Sequence, residues 1–158
     1  MNTNIAKKYT ARIAQASPTE LVVVSYELII SYMEKAKADY ENKEKQEFVK
    51  SLKGAQAILT HMIDSLNFDF EISYNLFSLY LYINRNITSA ICKLDIMALK
   101  NSISVLNRLK TGYEGIVDTD KTGSVMSNSE QIYAGLTYGK DKLNEHKLSS
   151  SDNRGYKV

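Results

Sequence analysis

A chain of 158 residues, 44% hydrophobic and 24% charged, carries enough apolar matter for one packed core of ordinary domain size, which excludes wholesale disorder. Its 20 basic and 18 acidic residues leave a net charge of +2; binding nucleic acid or an anionic membrane takes a basic excess gathered on one face, and the composition has none. The single cysteine, Cys92, excludes an intrachain disulfide framework and a multi-cysteine zinc site.

In chain order, Met1 is followed by Asn-Thr-Asn rather than by a basic segment and an apolar stretch, so no secretory signal is expected. Ile5 to Gln15 places Tyr9 and Ile13 four apart, as a helical turn or two would. A piece this short is not helical alone in water, so it is held by contact or not at all. Residues 1–16 are taken as an N-terminal segment packing on a body spanning 17–117.

That body opens with a capping box: Ser17 as N-cap, Pro18 in the first helical position and Glu20 three after the cap. Val22, Tyr26, Ile29, Met33, Ala36 and Tyr40 then recur on one face, while Leu21, Val23, Val24, Leu28 and Ile30 spread the apolar surface nearly all round. A helix that apolar is either central to the fold or covered by something else. The second predicted helix carries Phe48, Leu52, Ala55, Leu59, Met62 and Leu66; the third carries Ile72, Leu76, Leu79, Ile83, Ile87, Ala90 and Leu94. The fourth starts at Asp95, a plausible cap, and carries Ile96, Leu99, Ile103, Leu106, Tyr113 and Val117. Between Pro18 and Lys110 the only glycine is Gly54, so helix breakers are nearly absent. Short links at Asn42-Lys43, Asn67 to Glu71 and Leu94-Asp95 favour antiparallel neighbours. The expectation is an all-α, antiparallel up-down four-helix bundle. From Asp118 onward Gly, Ser, Asn and Asp abound and opposite charges balance, so 118–158 reads as a flexible tail. Its one apolar cluster, Ile132, Tyr133, Leu136 and Tyr138, is either incidental or a segment that docks on the body.

Catalytic signatures are scarce. Gly135-Leu-Thr-Tyr-Gly139-Lys140 lacks the spacing and the hydroxyl of a phosphate loop. Neither His61 nor His146 has a glutamate three positions before it, as two-iron bundles require. No cofactor and no metal are expected, and no enzyme activity. Cys92 reads as a buried structural thiol, and Asn86-Ile87-Thr88 as a chance sequon in mid-helix. His61 keeps open an alternative, a histidine phosphotransfer-type helical signalling module, although Asp64 one turn on would repel a phosphoryl group. The longest strictly aliphatic run, Leu21 to Val24, falls far short of the roughly 20 residues of a membrane span. A cytoplasmic protein without membrane insertion is expected.

What stands out is an aromatic surplus beside the third stripe: Tyr74, Phe77, Tyr80, Leu81 and Tyr82. It is either a wide core or a groove awaiting an amphipathic helix, for which tyrosine has a suitable apolar face and a wet hydroxyl. Asn75, Asn84, Arg85 and Asn86 lie in the same stretch, either as solvated positions or, in the case of Arg85, to orient a partner.

Three ordered motifs carry a family resemblance: Ala16-Ser17-Pro18-Thr19-Glu20-Leu21 with Tyr26-Glu27; Ser65-Leu66-Asn67; and Asn75-Leu76-Phe77-Ser78-Leu79-Tyr80-Leu81-Tyr82-Ile83-Asn84-Arg85. From about Tyr9 to Ile116 the chain resembles the FliS family, the flagellar export chaperones for flagellin. The resemblance implies a cytosolic helical bundle that holds the disordered C-terminal segment of flagellin, prevents premature polymerisation and delivers the client to a component of the flagellar export gate. It implies that the client wraps the bundle as helices in apolar grooves, and that a tyrosine-bearing N-terminal segment covers part of that surface until displaced. Tyr9 and Ile13 match that cover; Leu76, Leu79, Tyr80 and Ile83 are the expected groove contacts, and Asn75 with Arg85 the polar anchors. Tyr113 stands where the family usually has a tryptophan, and a monomer and a homodimer both fit.

Overall fold

The sequence caps set the helix boundaries. In the computed structural model, which describes residues 3–126, Ser17 is extended (φ −66°, ψ 165°) and its hydroxyl accepts the Glu20 N–H at 3.2 Å. Pro18 follows where a missing N–H leaves nothing unsatisfied. Asp95 likewise accepts the Ala98 N–H at 3.1 Å. Among the described residues the regular elements are α1 (Thr3–Gln15), α2 (Pro18–Glu41), α3 (Lys45–Asp64), α4 (Glu71–Lys93), α5 (Ile96–Glu114) and a 3-10 turn, Val117–Thr119. The fold is all-helical, and no strand occurs among these residues.

Two corners turn without glycine. Lys43 (φ 60°) sits left-handed after α2, where the Glu44 N–H reaches back to the Asp39 carbonyl at 2.8 Å and the Lys43 N–H to that of Tyr40 at 3.0 Å. This is the double bond of a Schellman ending, in which glycine is the usual occupant. Leu94 (φ 58°) is also left-handed, at the two-residue link between α4 and α5, where its N–H bonds the Ala90 carbonyl at 2.9 Å.

The packing is a closed ring: α2 lies on α3, α3 on α4, α4 on α5, and α5 back on α2, with α1 laid against α2 from outside. Inside the ring Tyr26, Ile29 and Met33 of α2, Phe48, Leu52 and Leu59 of α3, Ile83 and Ile87 of α4, and Leu99 and Leu106 of α5 are buried. Gly54 makes one approach close, because a Cβ there would stand 2.9 Å from the Tyr32 ring of α2. Among the described residues every buried side-chain polar atom has a hydrogen-bond partner. Asp39 holds Lys35 Nζ at 2.7 Å and the Ser51 hydroxyl at 3.0 Å, which fastens the end of α2 to the start of α3. Asn86 donates to the Ser102 hydroxyl between α4 and α5 at 2.9 Å.

The expected stripes run through the core and depart from it at their ends. Tyr40, Ile72 and Leu94 are exposed, each at or near a helix end, although the Tyr40 ring still meets Phe48 at 5.9 Å. Cys92 is also exposed, contrary to the buried thiol expected: it falls on the side of α4 opposite Ile83 and Ile87. Residues 118–126 of the expected tail lie against the α1–α2 corner: Val125 N–H donates to the Ala16 carbonyl at 3.0 Å and the Ser124 hydroxyl to that of Ala14 at 2.9 Å. The cluster at Ile132, Tyr133, Leu136 and Tyr138 lies outside the described residues.

Candidate functional site

The outer face of α2 explains its all-round apolar sequence. Val24 and Leu28 point away from the ring and are nevertheless buried, because Tyr9 of α1 packs on them with Ile5, Ile13 and Ile58 of α3 around the edge. The Tyr9 hydroxyl meets the Ser31 hydroxyl at 3.2 Å, and Arg12 reaches Glu27 at 2.7 Å and Glu20 at 3.7 Å. The Glu27 hydrogen bond, helped by the charges of Glu27 and Glu20, holds the Arg12 guanidinium above its ordinary value against desolvation by burial. A short amphipathic helix therefore fills an apolar furrow on α2, fastened at its edges by surface polar pairs.

Around α4 the candidate residues separate. Leu76, Tyr80 and Ile83 are inside the ring rather than on a groove wall; they occupy the stripe of α4 that faces its neighbours. Tyr80 is there because its hydroxyl has a partner: it shares a 2.6 Å hydrogen bond with the Tyr26 hydroxyl, and the rings meet edge to face at 6.2 Å. Tyr113 closes the group at 5.7 Å from Tyr26, on the site where a larger ring was expected. Burial pushes the Tyr80 phenol up to about 12 and raises Tyr26 further. Leu79 is half-buried, while Asn75 and Arg85 are exposed.

The eight candidates thus do not converge on one pocket. Tyr9 and Ile13 lie over α2 and the rim of α3, whereas the α4 residues belong to a helix that packs on α3 and α5. A ligand touching both sets must be long enough to pass around the bundle.

Two features were only partly legible in the sequence. One is the furrow of Val24, Leu28 and Ile58: the surplus of aliphatics on α2 signalled a covered face, but not that Ile58 of α3 completes it. The other is an exposed aromatic patch where the chain enters α4: Phe68, Phe70, Ile72 and Tyr74, with the Phe68 ring 5.2 Å from Tyr74 and 5.7 Å from Phe77. Period-based reading passes over loop residues such as Phe68 and Phe70. At the opposite ends of α2 and α4 a concavity of about 380 Å³ is lined by Tyr40, Phe48 and Leu94 with Glu41, Lys43 and Lys45 at its edge.

His61 is exposed in the last turn of α3, with Asp64 one turn beyond. Among the described residues no group of three His, Cys, Asp or Glu side chains could hold a metal ion, and no helix is long and apolar enough to cross a membrane. The arrangement is suited to binding by surface burial: a furrow that takes an amphipathic helix, and apolar area left open elsewhere.

Compared with known families, residues 1–120 match the family described as Flagellar protein FliS. No curated protein matches the chain. The family match spans α1 to α5 and most of the sequence, and the chain belongs to the FliS family.

Proposed function

We propose that this member of the FliS family is a non-enzymatic cytosolic chaperone that binds the disordered C-terminal segment of flagellin, prevents its premature polymerisation and hands it to a component of the flagellar export gate. The observation that carries the reading is α1, a short helix seated in the furrow of Val24, Leu28 and Ile58. A surface that already accepts one amphipathic helix can accept another of the same pattern. In this reading the ring is an antiparallel up-down bundle, to which the short links contribute. Tyr9 and Ile13 form the displaceable cover. Leu79, Asn75 and Arg85 meet the client where it passes over α4, and Leu76, Tyr80 and Ile83 support that contact from beneath. The separation of these two sets favours a client that wraps as a chain over one that docks as a globule.

Calorimetric titration with a peptide from the C-terminus of flagellin tests the reading. The expected result is binding with a large negative heat-capacity change and a gain of helix in circular dichroism, since a disordered client orders as it buries apolar surface. Tyr9→Ala should tighten binding severalfold by loosening the competing helix. Failure of the folded, full-length protein to bind the peptide would dismiss the reading.

A further inference from the structure

The joint between α1 and α2, Ala16-Ser17, is spanned by a segment from the far end of the chain. Asp120 accepts the Thr19 N–H in the first turn of α2 at 2.9 Å, across 101 positions of sequence. Ser17 already caps the Glu20 N–H, so two of the free donors at this helix start are filled from separate parts of the chain. The Asp120 carboxylate also accepts from both the N–H and the hydroxyl of Thr122, which folds the segment into a tight turn. Four residues after Asp120, the Ser124 hydroxyl donates to the Ala14 carbonyl in the last turn of α1, and the Val125 N–H to the Ala16 carbonyl between the helices. One short segment therefore binds the last turn of α1, the joint, and the first turn of α2. Any movement of α1 away from the furrow must bend the chain at this joint.

We propose that residues 117–126 are a strap that locks α1 in its seat, so that opening of the Val24, Leu28 and Ile58 furrow requires the strap to leave the Ala14 to Thr19 corner. The inference rests on the reading of α1 as a displaceable cover and adds its control: the occupancy of the binding surface is set by a contact at the joint, at the end of the furrow. The other fastenings of α1, Tyr9 on Ser31 and Arg12 on Glu27, lie along its length and resist sliding and lifting. The strap differs in holding both sides of the pivot.

The test is hydrogen exchange of the full chain without any client, comparing the wild type with Asp120→Ala/Ser124→Ala. Loss of the Asp120–Thr19 and Ser124–Ala14 bonds to the corner, together with the Asp120–Thr122 turn, should speed exchange of the α1 amides by roughly tenfold, with α3 and α4 amides unchanged. Asp120→Asn with Ser124 intact, whose single amide oxygen can take the Thr19 N–H or the Thr122 donors but not both, should exchange at a rate between the wild type and the double variant. Unchanged α1 exchange in the double variant would overturn the proposal; so would acceleration of every helix alike, because the segment would then be a general brace. Adding the flagellin peptide separates the two readings. Faster α1 exchange with no peptide binding keeps the strap and removes the client, whereas peptide binding with unaltered α1 exchange removes the strap.

Discussion

Two apolar interfaces share α2, and they are built on different terms. Its inner face is closed along the helix by α3 and α5, with Tyr26, Ile29 and Met33 fully out of water. Its outer face is closed by 13 residues of α1, with Tyr9 as the main apolar anchor and polar pairs at the rim. A helix that short is not self-sustaining, so its helicity and its contact are gained and lost together. The inner interface defines the fold, and in the proposed function the outer one is vacated while the fold persists. An apolar helix surface is therefore no guide to which of its neighbours is permanent.

The strongest challenge to that distinction is a pair of truncations. Leu59→Ala in the ring should cost about 3 kcal/mol of unfolding free energy in urea denaturation. Tyr9→Ala should cost well under half as much globally while abolishing exchange protection in α1. Equal losses would make the two interfaces one cooperative unit. Next, Tyr80→Phe should cost about 1–3 kcal/mol, because it leaves the buried Tyr26 hydroxyl without its partner, and Tyr26→Phe/Tyr80→Phe should recover most of that loss. A double variant as unstable as the single one would show that the rings, and not the hydrogen bond, need this geometry.

A pH series sharpens the same contrast. Buried phenols with raised folded values keep their protons after the unfolded chain has begun to lose them. Their contribution is complete below pH 10 and is lost as pH rises from 10 toward the Tyr80 value of about 12. Denaturation midpoints should fall across that window in the wild type and less steeply in Tyr26→Phe/Tyr80→Phe; parallel slopes would refute the assignment. The smallest expected effect is at the rim. Arg12→Ala, which removes a partly exposed ion pair to Glu27, should cost about 0.5 kcal/mol or less and lose its effect in high salt.

Local rules carried the helices: Ser17 and Asp95 cap where their side chains can reach, and the stripes of Phe48 to Met62 and Leu99 to Leu106 are buried as spaced. The surface was harder to read. At positions 79 and 80 the helical spacing permits either residue to enter the ring, and the choice of Tyr80 depends on a hydroxyl partner 54 positions away. Cys92 looked internal by residue type, but the turn of α4 places it outward. Gly54 scans as a weak helix position and is a point of contact with Tyr32. The link from Asp120 to Thr19 has no local signal, since a loop carboxylate and a distant helix start share no pattern. For α4, a family motif points to residues without distinguishing those that support a surface from those that form it.

The chain contains no tryptophan, and the Tyr26, Tyr80 and Tyr113 rings stand within coupling distance in the middle of the bundle. Tyr40, Tyr74 and Tyr82 are more exposed, with Tyr40 on Phe48 and Tyr74 on Phe68 at the two ends of the bundle. The near-ultraviolet dichroism of this protein is thus a built-in gauge of its interior, to which Tyr9 adds a contribution that is lost when α1 leaves its seat. Any tryptophan carried by a partner would supply a second, spectrally separate signal, so docking and core integrity could be followed in one cuvette without a label.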